Sequence, residues 1–224
     1  MSKKVANQQD EFKNLEQALT ASEAFIEKYR KKLLYGLGVV SAIVVIILAS
    51  NNLYFKPRAV LAANEMYRSQ MYFAVDSFLL ALEGDGIESI GFAAIASEYA
   101  FTPSANLAKA YAGIASFHLG RYEDAIQYLS GYDSKDNYFY NTVIGLIGDS
   151  YVELGDNKNA IKFFNKAAAS GNDVLAPFYL KKAAIIYEVE GDKDRALKHY
   201  ISIRDNFPMS MEAQEIDKFI SRLQ

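Results

Sequence analysis

The residue types that usually carry catalysis or bind metals are scarce in this sequence. The chain contains no cysteine, so disulfides, thiolate metal sites and a cysteine nucleophile are excluded. Its two histidines, His118 and His199, lie far apart in the sequence, and neither has a second metal ligand or catalytic partner close by. We therefore predict that the protein is not an enzyme and has no cofactor or metal site.

Two loop segments resemble binding motifs but lack a residue or a spacing that those motifs require. Gly84-Asp85-Gly86 followed by Gly91 resembles a dinucleotide loop, but Ser89 stands where the third glycine belongs and no predicted strand precedes it. We interpret this segment as a break between helices. Asp133 and Asp136 do not have the spacing of a calcium loop, and their segment is interpreted as the turn of a helix hairpin.

Length and composition predict one folded domain with appendages. The chain has 224 residues, of which 51% are hydrophobic and 23% charged, and this excludes disordered and fibrous classes. The net charge is −3 and the basic residues are scattered, so a nucleic-acid partner is not expected.

One apolar segment near the N-terminus predicts a membrane anchor. No charged side chain occurs in the 23 residues of segment 33–55, between Lys32 and Lys56. At ~1.5 Å per helical residue the segment reaches about 35 Å, enough to cross a hydrocarbon core of ~30 Å. A cleaved signal peptide and a buried core helix are the competing readings. The first is disfavoured by the ~32 polar residues before the apolar run, and the second by apolar residues on every face of the helix.

The charges on either side of the anchor predict its orientation. Lys28, Arg30, Lys31 and Lys32 precede the apolar segment. Only Lys56 and Arg58 follow it closely. The positive-inside rule then leaves the N-terminus in the cytoplasm and exports the C-terminal domain, after a single pass. Within the span, Gly38 and Ala42 form a small-xxx-small pair that would permit close packing against another membrane helix.

The cytoplasmic stub, residues 1–32, carries a seam of heptad spacing. Its members are Phe12, Leu15, Leu19, Ser22, Ile26, Tyr29 and Leu33. One interpretation is an amphipathic helix that runs along the membrane surface into the span. The alternative is a short helix that binds a partner or a second copy.

Downstream of the anchor the sequence repeats at intervals of 35 and 36 residues. Two sets of positions carry the period: alanines at Ala125, Ala160 and Ala196, and glycines at Gly120, Gly155 and Gly191. Each unit predicts a helix hairpin in which the glycine ends the first helix. Small residues at Gly113, Gly148 and Ala184 would let the two helices approach closely, and Leu129, Phe164 and Tyr200 would fill the space to the next unit.

Capping residues and breakers set the predicted boundaries. Thr102 followed by Pro103 begins the first complete unit, and Asp156 and Asp192 can cap later helices. Three repeats are predicted over 102–209, preceded over 56–101 by a degenerate repeat and an extra helix. Within that earlier region we predict helices at 58–69, 72–82 and 87–99. Residues 210–224 are predicted as a C-terminal capping helix, so that ten helices and no strand follow the anchor.

These offsets resemble the tetratricopeptide repeat, an α-solenoid unit with small, glycine, tyrosine, alanine and aromatic positions in this order. The resemblance implies an all-α protein: a single transmembrane helix followed by a tetratricopeptide-repeat α-solenoid. The lack of tryptophan and of terminal prolines in the first two units departs from the consensus.

The full arrangement is similar to a narrower family, the single-span repeat proteins of Gram-negative envelopes that associate with the Sec translocon. The similarity rests on Asn106-Leu107-Ala108 with Tyr111-Ala112-Gly113, on Gly148-Asp149-Ser150-Tyr151, and, for a Bacteroidota-like member, on residues 72–86 and 181–184. It implies an ancillary translocon subunit whose partners are the translocon, exported polypeptides and a membrane-anchored periplasmic chaperone or prolyl isomerase. The alternatives are a passive scaffold for another envelope or secretion assembly and, third, a sensor that signals through its N-terminal helix.

The repeat family also implies a concave groove lined by the first helix of each hairpin. The residues projected onto it are Leu107, Ala110, Tyr111, Ile114, Phe117, Thr142, Gly145, Leu146, Asp149, Val152, Phe178, Lys181, Lys182 and Ile185. Only Lys181 and Lys182 could hold a peptide carboxylate, so an apolar, aromatic groove is expected. The alternative is that one of the chain's own helices, such as the predicted helix over 211–223, fills it.

Overall fold

A computed structural model describes residues 27–169 and 172–224 of the chain. It divides the chain into two compact units, with the boundary between Pro57 and Arg58. The described residues of both units are helical and contain no strand.

The described part of the first unit is one apolar helical segment. Helix α1 covers residues 27–50 and is followed by a π-helical turn at Asn51–Phe55, whose last hydrogen bond joins the Lys56 amide to the Asn51 carbonyl. The described residues contain one helical stretch, Glu27–Ala74, that is long and apolar enough to cross a membrane, and none of its most apolar window is buried. The predicted span, 33–55, lies inside it. Most of the predicted stub and its heptad seam, up to Ile26, lies outside the described residues.

Ten helices follow residue 55 in the described part of the chain, the number that the sequence predicts. They are α2 (Lys56–Ala74), α3 (Phe78–Glu83), α4 (Gly91–Glu98), α5 (Pro103–His118), α6 (Tyr122–Ser130), α7 (Asn137–Glu153), α8 (Asn157–Ala168), α9 (Leu175–Val189), α10 (Lys193–Asn206) and α11 (Ala213–Leu223). From α4 onward, each helix packs against the next one in the chain, and the α5–α6, α7–α8 and α9–α10 pairs are the hairpins.

The region before the first hairpin differs from its predicted boundaries. Helix α2 continues past Ser69, whose buried hydroxyl pairs with Ser89, and ends near Asp76, which has a left-handed backbone with φ of 57°. Helix α4 begins later than predicted because the Asp85 carboxylate accepts the backbone N–H groups of Ile87, Glu88 and Ser89, and these bonds hold the chain in a turn.

Local capping explains most helix starts in the hairpins. The Thr102 hydroxyl accepts the Ala105 amide, and Asp156 and Asp192 accept the amides three residues on. Asp136, in the turn between α6 and α7, accepts the amides of Tyr138 and Phe139 and so caps α7. The predicted turn glycines adopt the left-handed conformation that an L side chain disfavours; Gly120, for example, has φ of 73°.

The two helices of a hairpin approach each other closely at glycines, which have no side chain. A Cβ added to Gly113 would lie 2.4 Å from Leu129, and one added to Gly148 would lie 2.6 Å from Phe164. Leu129 and Phe164 therefore pack first against their own hairpin. Phe164 also reaches the next hairpin, where its ring stacks on Tyr179 with centroids 6.0 Å apart.

The core of the second unit has two parts. The larger extends from α5 to α11 and includes the fully buried Tyr200 and Ile203. The smaller joins α2, α3, α4 and α5 around Phe92 and Ile95. Leu107 packs against both parts, so α5 links them.

Candidate protein-interaction groove

The first helices of the second and third hairpins, α7 and α9, each present one stripe of residues at spacings of three, four or seven. On α7 the stripe contains Tyr138, Thr142, Asp149 and Val152; on α9 it contains Phe178, Lys182, Ile185 and Val189. Residues at these spacings share a helix face. We call these eight residues the α7–α9 face.

Apolar side chains of this face remain accessible. Phe178 is 41% exposed, Ile185 is 42% exposed and Val189 is 77% exposed, and Val152 of α7 is 40% exposed. Large apolar groups clustered in this way are typical of binding surfaces.

An ion pair crosses the middle of the face. The Lys182 ammonium donates to the Asp149 carboxylate at 2.6 Å, and both side chains are about one third exposed. The same ammonium lies 4.9 Å from the centre of the Phe178 ring. Since Lys182 already has an anionic partner and an aromatic partner, a ligand carboxylate would have to displace Asp149 to reach it.

One helical turn before Asp149, α7 makes close contact with α9 at Gly145. A Cβ at Gly145 would lie 2.1 Å from the Tyr179 ring, so only glycine lets this ring pack so closely against α7. Burial of the ring raises the pKa of Tyr179 to about 12, with a smaller contribution from the Asp149 charge. The tyrosine stays neutral and serves as packing.

Lys181 lies away from this face. Its ammonium is 5.1 Å from the centre of the Phe219 ring on α11. Consecutive helix positions point about 100° apart, so Lys181 and Lys182 cannot hold one carboxylate together. The structure thus separates two lysines that the sequence places side by side.

The C-terminal helix packs on α10 rather than across the exposed apolar residues of α9. Its buried residues are Ile216 and Ile220, and Phe219 packs near Tyr200 of α10 with ring centroids 5.1 Å apart. It reaches α9 through the Arg222 guanidinium, which donates to Glu188 at 2.6 Å. Phe178, Ile185 and Val189 remain exposed beside it.

The groove residues predicted on α5 are more covered than those on α9. The Tyr111 ring lies between Phe73 of α2 and Phe92 of α4, with both centroid distances at 5.0 Å. Leu107, Ile114 and Phe117 are half-buried and pack against the core. Helices from the region before the hairpins therefore occupy much of this end, whereas α7 and α9 stay open. Leu146 of α7 is also half-buried against the core.

Neither histidine lies in a reactive arrangement. His118 stacks on Phe78 with ring centroids 4.3 Å apart. His199 is half-buried, with its two ring nitrogens beside the Asn165 side chain and the Arg195 carbonyl. Burial lowers the pKa of His199. The described residues contain no group of three or more histidine, aspartate or glutamate side chains arranged to hold a metal.

Two accessible residues of the face were absent from the groove predicted from sequence. Tyr138 is 55% exposed and lies four positions before Thr142, and Val189 lies four positions after Ile185. Tyr138 and Val189 therefore continue the helical spacing of the other residues of the face. They were missed because the projection stopped one turn short of each helix end.

In the predicted membrane span, Gly38 and Ala42 are exposed along with every other residue of segment 33–55. A Cβ added to Gly38 would meet nothing within 4 Å.

Two family models of the tetratricopeptide repeat match this chain, one over residues 92–138 and the other over residues 142–169. A search of curated proteins finds no match. The first match begins in α4, ten residues before the first complete repeat predicted from sequence. The chain is therefore an all-α protein with an N-terminal apolar helix and tetratricopeptide repeats downstream, and such repeats are protein-interaction modules that are typically non-catalytic.

Proposed function

We propose that this protein is a membrane-anchored periplasmic interaction module whose α7–α9 face binds apolar segments of other polypeptides. The observation that carries the proposal is the accessible row of Phe178, Ile185 and Val189 on α9, beside the Asp149–Lys182 ion pair. Apolar side chains of a partner would cover this row, and the ion pair would orient polar groups at its edge.

The proposed binding face is centred on α7 and α9 rather than spread evenly over the residues projected from sequence. Phe178, Lys182, Ile185 and Asp149 form its middle. Leu107, Ile114, Phe117 and Leu146 pack against the larger core. Tyr111 packs in the smaller core, and Lys181 belongs to the contact with α11.

We further propose the location and the partners. Basic residues before the span favour a cytoplasmic N-terminus, which puts the repeats in the periplasm of a bacterial inner membrane. The similarity of the repeats to translocon-associated envelope proteins favours an ancillary subunit of the Sec translocon. Its partners would be emerging exported polypeptides and a membrane-anchored periplasmic chaperone or prolyl isomerase, and the Gly38–Ala42 pair would contact a membrane helix of that assembly.

The test is site-specific photocrosslinking in intact cells. A photoreactive amino acid replaces Ile185 in one full-length variant and Lys158, an exposed residue of α8, in the control variant. We expect crosslinks from position 185 to exported polypeptides in mid-transit and to translocon subunits, identified by mass spectrometry, with far fewer from position 158. Equal yields at both positions would remove the binding face from the proposal. Crosslinks to a single different envelope complex would favour the scaffold alternative.

A binding variant separates recognition from folding. Ile185→Glu places its charge at a site that is already 42% exposed, so the fold should be retained while apolar segments are repelled. We expect an unchanged melting temperature and loss of the crosslinks made from a photoreactive group at position 152. Retained crosslinks in a folded variant would contradict the proposal.

A further inference from the structure

Helix α2 has two opposite faces of different character. Its inner face consists of Ala62, Met66 and Ser69, which are buried, and the half-buried Phe73, which packs against Phe92 of α4. Because these positions are three and four residues apart, they form one continuous stripe directed into the smaller core.

The outer face of α2 is a second stripe of the same spacing, and it is exposed. Its members are Val60, Asn64, Tyr67, Met71 and Ala74. Val60 is 63% exposed, Tyr67 is 65% exposed and Met71 is 58% exposed. We call these five residues the α2 stripe. Steps of four and three residues repeat every seven, which is the spacing of a two-helix coiled-coil seam.

The chemistry of the α2 stripe suits a second copy of the same helix. In a parallel pair about a two-fold axis each stripe residue meets its own counterpart, so a charged residue there would face a like charge. The α2 stripe contains no charged residue. Its one polar residue is Asn64, whose amide can both donate to and accept from the same amide in another copy. A single asparagine in such a seam favours an in-register dimer.

The residues beside the α2 stripe fit the same arrangement. Arg68, on one flank, would lie beside Ala63 of the other copy, so that no like charges meet. Glu65 lies on the side of the helix toward Arg68, with 3.9 Å between their charged groups. Leu61 and Val75, which are 53% and 70% exposed, lie seven residues before and after Arg68 and extend the apolar area on the same flank.

The stripe alone is short for a free coiled coil, since it covers only about two heptads. The proposed membrane anchorage compensates for this short length. Two chains anchored with the same orientation in one bilayer both begin α2 at the same membrane surface, which favours a parallel pair, and confinement raises their effective concentration.

We propose that the protein forms a parallel homodimer through the α2 stripe, with Asn64 paired to Asn64 of the second copy. The proposal concerns α2 only and leaves the α7–α9 face free for partners. It rests on the proposed anchorage for its parallel direction and not on what the groove binds.

Disulfide crosslinking gives a direct test, because the natural chain has no cysteine. Single cysteines replace Val60, Asn64, Met71 and, as the control, the exposed Lys158 of α8, each in the full chain in native membranes. A disulfide needs Cβ atoms about 3.5–4.5 Å apart, which an in-register parallel pair provides at the seam positions. After mild oxidation we expect a band of twice the chain mass at positions 60, 64 and 71, with only a trace at 158. Alkaline extraction of the same membranes checks that the chain is anchored.

A charge variant completes the test without disturbing the fold, because residue 64 is exposed. Asn64→Glu sets two carboxylates against each other, and the crosslink at position 71 should then fall to the level of the control. The proposal is overturned if the three seam cysteines give no more dimer than position 158 in membranes that retain the chain. It is equally overturned if they join the chain to a protein of different mass, or if only position 64 reacts, as an antiparallel crossing near the middle of the α2 stripe would require.

Discussion

Lys182 of α9 donates a hydrogen bond to Asp149 of α7 at 2.6 Å, and this ion pair joins two hairpins across the face that we propose as the binding site. The two residues are 33 positions apart in sequence. This separation is close to one repeat, so the ion pair links neighbouring hairpins. It also neutralises Lys182, which is the only basic residue on the α7–α9 face.

The ion pair should contribute modestly to stability. Because both side chains are about one third exposed, solvent weakens their attraction, and we expect a coupling free energy of about 0.5–1 kcal/mol. The measurement is a double-mutant cycle with Asp149→Ala, Lys182→Ala and the combined variant, in chemical denaturation. A coupling that is zero within error would mean that the pair orients ligands without stabilising the repeats.

Gly145→Ala should destabilise the contact between α7 and α9. The added methyl would lie 2.1 Å from the Tyr179 ring, and relief requires the ring or the helix to move. Overpacking of this kind costs roughly 1–3 kcal/mol, and calorimetry should show a lower melting temperature. Gly38→Ala is the matched control, since its methyl meets nothing within 4 Å. A melting temperature equal to that of the control would show that the ring has room to shift.

Helix caps should make the repeats sensitive to acid. The Asn159 amide and side chain hold the pKa of Asp156 below its usual value, and the Arg195 side chain and amide do the same for Asp192. The unfolded chain therefore binds protons at these carboxylates at a higher pH than the folded chain does. Their stabilisation is complete above about pH 4 and is lost as the pH falls through the lowered folded-state values.

Asparagine at both cap positions tests this reasoning. Asp156→Asn combined with Asp192→Asn keeps the capping oxygens but removes their titration. Unfolding midpoints measured from pH 6 down to pH 2 should fall less steeply for this variant than for the natural protein. Asp173→Asn, at an exposed aspartate before α9, serves as the comparison. Parallel curves for all three proteins would assign the acid sensitivity to other carboxylates, such as Asp85.

The orientation of the anchor can be tested independently of any partner. Because basic residues cluster before Leu33, a reporter joined after Gln224 should have the activity of a periplasmic fusion and none of the activity of a cytoplasmic one. Replacing Arg30, Lys31 and Lys32 with glutamine should reduce this asymmetry. A reporter that is active only in the cytoplasm would reverse the proposed topology and, with it, the proposed partners.

Features set by near neighbours in the sequence were predicted well. The caps at Thr102, Asp156 and Asp192 depend on amides three residues away, and the left-handed glycines depend on their own backbone, so the hairpins were readable from residue type and spacing. The apolar segment 33–55 was equally plain, since its length and lack of charge are properties of one continuous stretch.

Features set by distant neighbours were decided only by the tertiary structure. The repeat pattern placed Tyr111 in the groove, but Phe73 and Phe92 cover it. These residues lie 38 and 19 positions upstream, and no local feature of the sequence predicts contacts at such distances. Lys181 and Lys182 are a second example. They are adjacent in the sequence, but helix packing places Lys181 against Phe219 and Lys182 against Asp149. A helix period fixes the direction of a side chain, but what stands in that direction depends on how the helices pack. For this protein the sequence by itself therefore determined the helices and the predicted anchor, while packing decided that α7 and α9, rather than α5, carry the accessible face.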